Sequence, residues 1–157
     1  MTQKVLGNLS RGLVFVISAP AGTGKTTLVE MLTSEFPDVR ESISYTTREA
    51  REGESEGVHY HFVDDTSFKA LSDKGDLLEE VELYGHSYGT SKSALEKNIS
   101  EGKHVVLVID TQGALKLKQE GFVAYYLFIS PPSLKELESR IRKRNKDSSK
   151  SIEQRLK

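Results

Sequence analysis

The 157-residue chain contains no cysteine, and its net charge at pH 7 is only −1. Without cysteine, neither disulfide bonds nor thiolate metal sites can form, a composition that fits a cytoplasmic protein. No apolar run approaches the ~18 residues that a membrane-spanning helix requires. A balanced charge gives no electrostatic reason to expect nucleic acid or a membrane surface as a partner. The apolar fraction of 36% and the charged fraction of 29% are typical of a folded globular domain.

One stretch near the N-terminus combines a buried strand, a short loop and the start of a helix. Residues 13–17 are all apolar and predict the strand, and an amphipathic helix follows the loop. At their junction, Gly24, Lys25 and Thr26 complete most of the phosphate-binding pattern G-x-x-x-x-G-K-[ST]. The first position of that pattern is Ala19 in place of glycine. This departure matters if the backbone at that position requires a positive φ.

The loop has the chemistry of a site for nucleotide phosphates. Its backbone N–H groups and the positive end of the helix dipole are expected to face an anion. Lys25 supplies a mobile positive charge for the β- and γ-phosphates, and the Thr26 hydroxyl is suited to ligate Mg²⁺. The residues predicted to bind ATP are Ala19, Pro20, Ala21, Gly22, Thr23, Gly24, Lys25, Thr26 and Thr27.

Apolar strands alternate with helices along most of the chain, which favours a parallel, doubly wound α/β sheet. Three continuous apolar runs are predicted as its buried strands: 13–17, 104–109 and 125–129. Shorter runs with strand character are found at 42–47, 60–63 and 77–84. The runs between residues 57 and 90 lie close together and interrupt the alternation. They indicate a small, mostly antiparallel lobe inserted into the α/β core.

Charged residues are unevenly distributed along the sequence. Acidic residues predominate between residues 49 and 82, and basic residues predominate between 140 and 157. Such runs commonly form solvated faces. Alternatively, a basic arm handles phosphate groups and an acidic lobe recognises a base. Charge alone does not distinguish these two interpretations.

Three stretches of the chain resemble the guanylate kinase family. They are SISYTTREAREGESEGVHYHFV at residues 42–63, LLEEVELYGHSYGT at 77–90 and LVIDTQGA at 107–114. They occur in the order typical of that family, and the resemblance extends over residues 13–157. The loop Y-T-T-R-x-x-R-x-G-E makes it specific, because a phosphate-binding loop alone is shared by many families.

The resemblance implies a P-loop nucleoside monophosphate kinase fold with a parallel sheet core. The core is expected at residues 1–47 and 91–157, with a basic lid at about 138–157, and a mixed or antiparallel GMP-binding lobe at 48–90. The implied reaction transfers the γ-phosphoryl group of ATP to GMP, and to dGMP, with Mg²⁺ as cofactor. It belongs to purine nucleotide metabolism and GMP recycling. The implied partners are these small molecules, without nucleic acid or membrane, in a cytoplasmic monomer or homo-oligomer.

The resemblance also identifies the expected GMP site. Its positions are Ser44, Arg48, Arg51, Tyr60, Glu79, Tyr88, Thr90 and Asp110. The planar guanidinium groups of Arg48 and Arg51 can grip the phosphate in a bidentate manner. Glu79 occupies the position of the carboxylate that accepts two hydrogen bonds from guanine, which distinguishes guanine from adenine. Side chains alternate along a strand, so only one of Glu79 and Glu80 can face the base.

Asp110 follows an apolar strand, where a Walker-B-like carboxylate is expected. The resemblance leaves two roles open for it, either organising Mg²⁺ through water or contacting the guanine side. Many relatives carry a second acid two positions earlier, where this chain has Val108. That departure argues against a metal site built from two acids.

Catalysis of phosphoryl transfer depends mainly on positioning and on charge neutralisation. Lys25 is therefore the first expected catalytic group. Arg140, Arg144 and Arg155 match arginines in and near the lid of the family and are expected to act with it.

The chain ends at Lys157, inside the helix that follows the lid, whereas family members usually continue. Whether this is the natural length is left open by the sequence. If it is not, the strand at 125–129 has an unpaired edge that invites association. We then expect lower stability and weaker ATP binding than in a longer form.

A second interpretation is a catalytically inactive, guanylate-kinase-like module that binds other proteins. Such modules keep the fold but have lost the lysine or the glycines of the phosphate-binding loop. Gly24, Lys25 and Thr26 are all present here, which favours the enzyme.

Overall fold

The computed structural model describes residues 10–20 and 22–143, with Lys143 described by its backbone alone. The strands of the described part are β1 (Val14–Ser18), β2 (Val39–Ser42), β3 (Tyr45–Thr46), β4 (His61–Phe62), β5 (Leu77–Leu83), β6 (His86–Ser91), β7 (His104–Ile109) and β8 (Tyr125–Phe128). The helices are α1 (Lys25–Glu35), α2 (Asp65–Asp73), α3 (Lys92–Ser100), α4 (Thr111–Gln119) and α5 (Leu134–Lys143). None of the helices in this part of the chain has both the length and the apolar character that crossing a membrane requires.

The first sheet is entirely parallel, with strand order β2-β7-β1-β8. Its central strands are the apolar runs of the sequence, and burial on both faces explains why they do not alternate with polar residues. Leu95 and Leu117 pack against one face, and Val29 and Val39 belong to the core on the other. The predicted α/β fold with a parallel sheet is therefore confirmed.

The second sheet is mixed, with strand order β4-β3-β6-β5. β3 pairs parallel with β4, whereas β3–β6 and β5–β6 are antiparallel. Tyr84 and Gly85 connect β5 to β6 with φ angles of 55° and 79°. Two consecutive positive φ values are typical of a type I′ hairpin turn, whose twist matches that of the flanking strands.

The single strand predicted at 42–47 is wrong. Two strands cover this region, and they belong to different sheets: β2 lies at the edge of the parallel sheet, and β3 lies in the second sheet. β2 is an edge strand in which only Val39 is fully buried, so it tolerates the polar residues Arg40 and Glu41. It therefore has no apolar run that would identify it in the sequence. The chain passes from one sheet to the other at Ile43 and Ser44, and this passage brings the two sheets together.

The carboxyl ends of β1 and β7 lie side by side, with Ser18 paired to Ile109. The phosphate-binding loop follows β1 directly, and Asp110 follows β7. The Oγ of Ser18 lies 3.4 Å from the Oγ1 of Thr111, which joins the two loop starts. Ligands of open parallel sheets bind at this edge, outside the carboxyl ends of the strands.

At the other end of the strand order, β8 forms an edge of the parallel sheet. Tyr125 is 59% exposed and Phe128 is 61% exposed. Within the described residues, β8 pairs only with β1.

Candidate functional site

The phosphate-binding loop takes its shape from two glycines. Gly22 has a φ of 90°, and Gly24, the residue before α1, has a φ of 97°. Both conformations are costly for residues with a Cβ. In the described part of the chain, Tyr84 is the residue other than glycine that has a positive φ. Ala19 therefore does not adopt such a conformation. The departure of Ala19 from the glycine pattern therefore causes no backbone strain.

Lys25 folds back over this loop. Its Nζ donates hydrogen bonds to the carbonyl oxygens of Ala19, at 2.6 Å, and Pro20, at 3.2 Å. The Oγ1 of Thr23 donates to the same Pro20 carbonyl at 2.9 Å. The ammonium group is thus held at the mouth of the loop, beside Thr26 in the first turn of α1.

The arginine-rich segment lies in the connection between β3 and β4 of the second sheet. The Nη1 and Nη2 atoms of Arg48 donate to the two carboxylate oxygens of Glu54 at 2.9 and 3.0 Å. The guanidinium carbon lies 5.4 Å from the centre of the Tyr60 ring and 5.8 Å from that of Phe62. Burial alone would lower the pKa of Arg48, but the hydrogen bonds and charge interactions with Glu54 and Tyr88 together outweigh burial and raise the pKa. Arg48 is therefore a fixed positive charge.

Two tyrosines and a serine line the same cavity as Arg48. The rings of Tyr60 and Tyr88 meet edge to face with their centres 5.9 Å apart. Burial raises the pKa of Tyr60, so its hydroxyl stays protonated and can donate a hydrogen bond. The Oγ of Ser44 lies 3.5 Å from the Oγ1 of Thr90.

Glu79 is a buried acid, with 3% of its surface exposed. Its Oε1 accepts a hydrogen bond from the Oγ1 of Thr90 at 3.0 Å, whereas its Oε2 has no partner among the described residues. Burial raises the pKa of Glu79 to about 7, and the negative charge of Asp110 adds to this effect. Glu80 is exposed and bonds to Ser72, so the two neighbouring acids face opposite sides of β5.

Asp110 caps the first turn of α4. Its Oδ1 accepts hydrogen bonds from the backbone N–H groups of Gln112, at 2.6 Å, and Gly113, at 3.3 Å. Gly113 allows close packing here, because a Cβ at this position would lie 3.3 Å from the Cγ of Glu79 and 3.5 Å from the Oδ2 of Asp110. The absence of a side chain at Gly113 therefore lets the two acids approach each other.

A single cavity of about 610 Å³ brings these groups together. From the predicted ATP site, it is lined by Gly22, Gly24, Lys25 and Thr26. From the predicted GMP site, it is lined by Ser44, Arg48, Arg51, Tyr60, Glu79, Tyr88 and Asp110. Thr90 is fully buried and does not line the cavity itself, but it contacts two residues that do, Glu79 and Ser44.

Several predicted residues do not line this cavity. Ala19 and Thr23 belong to the phosphate-binding loop, but both are buried and do not line the cavity. Pro20 and Thr27 are likewise absent from the lining. Arg140 lies on α5, where its Nε donates to the Oε1 of Glu136 at 2.7 Å. Three further predicted residues lie outside the described residues: Ala21, Arg144 and Arg155.

Three acids that line the cavity have no role in the sequence-based prediction: Glu30, Glu41 and Glu54. Glu54 forms an ion pair with Arg48. It is the last residue of the motif Y-T-T-R-x-x-R-x-G-E, and this position could have identified it from the sequence. Glu41 lies at the end of β2, where burial raises its pKa, the charge of Glu30 adds to the effect and His59 opposes it. No sequence signal identified Glu41, because the strand that carries it was not predicted.

The donor set of the cavity fits a magnesium ion that arrives with a nucleotide. Mg²⁺ in such sites keeps several waters and binds one or two carboxylates together with substrate phosphates. Thr26 and Asp110 line the same cavity and can supply the protein side of that shell. The described residues contain no group of three or more histidines, aspartates or glutamates that could hold a metal by themselves.

Known proteins similar to this chain carry the name guanylate kinase. The sequence profile of that family matches residues 11–157. The guanylate kinase of Protochlamydia amoebophila is 51% identical over 150 residues, which cover 96% of this chain and 76% of the relative. That of Clostridium perfringens is 45% identical over 157 residues, covering all of this chain and 72% of the relative.

A solved structure agrees with these sequence relatives. The crystal structure of guanylate kinase from Anaplasma phagocytophilum matches with a TM-score of 0.70 and 37% identity, covering 85% of this chain and 68% of that one. The predicted family and the predicted enzyme class, the nucleoside monophosphate kinases, are thus confirmed. On this evidence the chain belongs to the guanylate kinase family.

Proposed function

We propose that the chain transfers the γ-phosphoryl group of ATP to GMP, and to dGMP, giving ADP and GDP. The observation that carries this proposal is the shared cavity. It is lined by Lys25 and Thr26 of the phosphate-binding segment, by Arg48 and Arg51 of the connection between β3 and β4, and by Glu79 of β5. Two anion-binding groups and a buried carboxylate within one cavity match a nucleotide donor and a nucleotide acceptor held together.

GMP is proposed to bind with its base at Glu79. The free Oε2 of this carboxylate, together with Oε1, can accept hydrogen bonds from the N1–H and N2–H₂ groups of guanine. Adenine lacks this donor pair. Arg48 and Arg51 are proposed to hold the phosphate through charge-assisted hydrogen bonds, which are the strong ones in proteins. The hydroxyl groups of Ser44, Tyr60 and Tyr88 complete the proposed GMP site, with Thr90 and Asp110 beside Glu79.

ATP is proposed to bind at the loop before α1, over the range 19–27. A phosphate oxygen of GMP forms a bond to the γ-phosphorus, while the bond from that phosphorus to the bridging oxygen of ADP breaks. Lys25 neutralises charge on the β- and γ-phosphates during this exchange. Mg²⁺, when bound, further neutralises those oxygens, with Thr26 and Asp110 as its protein partners, Asp110 through water. Arg140, Arg144 and Arg155 are proposed to contribute further positive charge from the lid.

The division of the chain into two parts belongs to the same proposal. The core comprises residues 1–47 and 91–157, and the GMP-binding lobe comprises residues 48–90. The second sheet supports this division, because its strands pair with each other and not with the parallel sheet. Its β3, at Tyr45–Thr46, and the last residue of its β6, Ser91, lie just outside the lobe.

A coupled assay of ADP release tests the proposed reaction. The chain is supplied with ATP, Mg²⁺ and one of the acceptors GMP, dGMP, AMP, CMP or UMP. We expect turnover with GMP and dGMP alone, and we expect a chelator of Mg²⁺ to abolish it. Preference for AMP would overturn the assignment of Glu79 as the guanine-binding group.

The same assay separates the enzyme from a protein-binding module of the same fold. Binding of GMP without any release of ADP, in the presence of ATP and Mg²⁺, would indicate the inactive module. The hydrogen bonds of Lys25 with the loop carbonyls favour the enzyme, because they hold the ammonium group at a phosphate-binding loop that keeps Gly24, Lys25 and Thr26.

A further inference from the structure

Glu54 joins the two arginines of the proposed phosphate site. Its carboxylate accepts from Nη1 and Nη2 of Arg48, and its Oε2 also accepts from the backbone N–H of Arg51 at 2.8 Å. The side chains of Arg48 and Glu54 are only 10% and 16% exposed. A bidentate ion pair that is largely removed from solvent has a defined geometry, unlike an exposed pair of long side chains.

The backbone near Glu54 is built to return its side chain to the arginines. The N–H of Glu54 donates to the carbonyl of Arg51 at 2.9 Å, which closes a four-residue turn. Gly53 occupies the third position of this turn with a φ of 83°, the conformation that a type II turn requires there. Main chain and side chain of Glu54 therefore both bond to Arg51.

The hydrogen bonds to Glu54 and Glu49 hold one edge of the Arg48 guanidinium, and Tyr88, itself a proposed ligand of the phosphate, also hydrogen-bonds to this side chain. Nη1 donates to Glu54 and to the carbonyl oxygen of Glu49, at 2.6 Å, and Nη2 donates once to Glu54. These bonds use three of the five N–H groups of the side chain. The remaining two, on Nε and Nη2, form the second parallel pair of donors of the planar group, which is suited to a phosphate.

We propose that Glu54 is a positioning residue for phosphate recognition, holding Arg48 by its Nη1/Nη2 edge so that its Nε/Nη2 edge faces the phosphate of GMP. The inference rests on the proposed function, in which Arg48 binds that phosphate. An arginine held in place before the substrate arrives does not lose side-chain freedom on binding, so affinity increases. Stacking of Arg48 near the rings of Tyr60 and Phe62 adds to the same restraint.

A negative charge beside an anion site can also weaken phosphate binding by repulsion. The experiment must distinguish this effect from the positioning of Arg48. If Glu54 acted mainly by repelling phosphate or competing for Arg48, its removal would strengthen GMP binding. If it positions Arg48, its removal weakens GMP binding. The two roles therefore predict changes of opposite sign.

The test compares Glu54→Gln with Glu49→Gln, which removes the same charge from an exposed side chain of the same segment. Dissociation constants for GMP and for guanosine are measured by calorimetry or NMR titration, with kcat and KM from the coupled assay. We expect Glu54→Gln to weaken GMP binding about tenfold, as for the loss of a hydrogen bond to a charged group. Guanosine binding should stay within about twofold, kcat should change less than KM, and Glu49→Gln should match the unmodified chain.

Two further variants make the result specific. In an Arg48→Ala background, Glu54→Gln should have no further effect on GMP binding, because Glu54 acts through Arg48. Glu54→Asp keeps the charge but is one methylene shorter, so it should also weaken GMP binding with guanosine unaffected. If Glu54→Gln fails to fold, Glu54→Asp provides the same comparison.

Three results would overturn the inference: equal or tighter GMP binding in Glu54→Gln, an equal loss of guanosine binding, or a full effect that persists in the Arg48→Ala background. These outcomes are distinct from failure of the proposed function. A chain without substitutions that neither binds nor phosphorylates GMP would overturn the function itself. Normal GMP turnover combined with an unaffected Glu54→Gln variant would overturn only the role of Glu54.

Discussion

At the scale of single residues, Glu79 combines deep burial with an unsatisfied oxygen. A buried polar atom without a partner costs free energy, so natural proteins rarely keep one without a functional reason. Thr90 satisfies Oε1 only, and the cavity lies in front of the carboxylate. The unsatisfied Oε2 is explained if a ligand supplies the missing donor.

Glu79→Gln is expected to reduce the preference for guanine. The amide of glutamine has one acceptor oxygen, so it cannot accept two parallel hydrogen bonds from the base. We expect kcat/KM for GMP to fall by about tenfold or more, from the loss of a charge-assisted bond. The ratio of GMP to AMP turnover measures the effect, with Glu80→Gln on the exposed face of β5 as control. Unchanged selectivity in Glu79→Gln would show that another acid recognises the base.

The affinity for GMP should depend on pH through Glu79. The pKa of this carboxyl is about 7 in the ligand-free protein, and only the ionised form can accept both donors of guanine. As pH falls below 7 the group is protonated, and affinity should fall by roughly tenfold per pH unit. The phosphate of GMP also titrates near pH 6, so the curve is compared with that of Glu79→Gln. A pH dependence identical in both proteins would contradict the role of Glu79.

At the scale of secondary-structure elements, the first turn of α4 packs closely against β5. Gly113 has no Cβ, and the helix therefore approaches the side chain of Glu79 closely. Asp110 caps the same turn with one oxygen and leaves its other oxygen near the cavity. The first turn of α4 thus places a capping acid, Asp110, next to the buried acid of β5, Glu79.

Gly113→Ala should weaken GMP binding with little change in stability. Alanine favours the helix by about 1 kcal/mol over glycine, which offsets the crowding of a Cβ placed 3.3 Å from the Cγ of Glu79. Displacement of Glu79 by a fraction of an ångström should cost about fivefold in GMP affinity, because misplacement by 1 Å can cost ~10²-fold in function. Calorimetry with GMP and with ATP measures the effect. A loss of ATP affinity equal to that of GMP would contradict this explanation.

The phosphate-binding loop is supported from behind by α5. Leu137 and Ile141 are buried against it, and a Cβ at Gly22 would lie 3.0 Å from the Cγ1 of Ile141. A Cβ at Gly24 would meet no atom within 4 Å, although its φ is equally left-handed. The two glycines therefore have different structural requirements within one loop.

Gly22→Ala should destabilise the fold more than Gly24→Ala. Both variants place alanine in a left-handed conformation, at about 1–2 kcal/mol in the free energy of unfolding, and only Gly22→Ala also crowds Ile141. Denaturant unfolding measures both losses. Ile141→Ala, which removes the crowded Cγ1, should cost less stability in the Gly22→Ala background than in the unmodified chain. Equal losses in the two glycine variants would show that α5 does not constrain the loop.

At the scale of the whole molecule, one cavity lies between a parallel sheet and a mixed sheet. The parallel sheet supplies the loop with Lys25, and the mixed sheet supplies Arg48 and Glu79. Substitutions at the two ends are expected to act independently, since Lys25 begins α1 beside the parallel sheet and Arg48 follows β3 of the mixed sheet. This separation leads to a crossed pattern of ligand effects.

Thermal unfolding with each nucleotide should reveal that pattern. A ligand at one hundred times its Kd stabilises a protein by about 2.7 kcal/mol. Arg48→Ala should lose most of the stabilisation by GMP, because hydrogen bonds to a charged group contribute about 1.5–3 kcal/mol to binding, and it should keep the stabilisation by ATP. Lys25→Ala should abolish turnover and keep the stabilisation by GMP. Loss of both stabilisations in either variant would contradict two separate ends.

Local chemistry was readable from the sequence. The loop with Gly24, Lys25 and Thr26 was predicted from neighbouring residues alone, because a phosphate cradle is formed by consecutive backbone groups and one lysine. The buried strands β1 and β7 were predicted from their apolar runs, since strands covered on both faces need no alternation. The resemblance to a family then assigned a GMP site to residues between 44 and 110, an assignment that stays a prediction residue by residue.

Other features depend on contacts between residues distant in the sequence. The edge strand β2 was not predicted, because Arg40 and Glu41 give it no apolar pattern. Glu79 and Glu80 are equivalent as sequence, and packing of α4 against β5 buries one and exposes the other. The raised pKa of Glu79 follows from that burial, and the pairing of Glu54 with Arg48 follows from a turn at Gly53. The sequence by itself thus determined which chemical groups are available in each segment. The tertiary structure decided which of them are buried and which pair with one another, because desolvation depends on everything packed around a group.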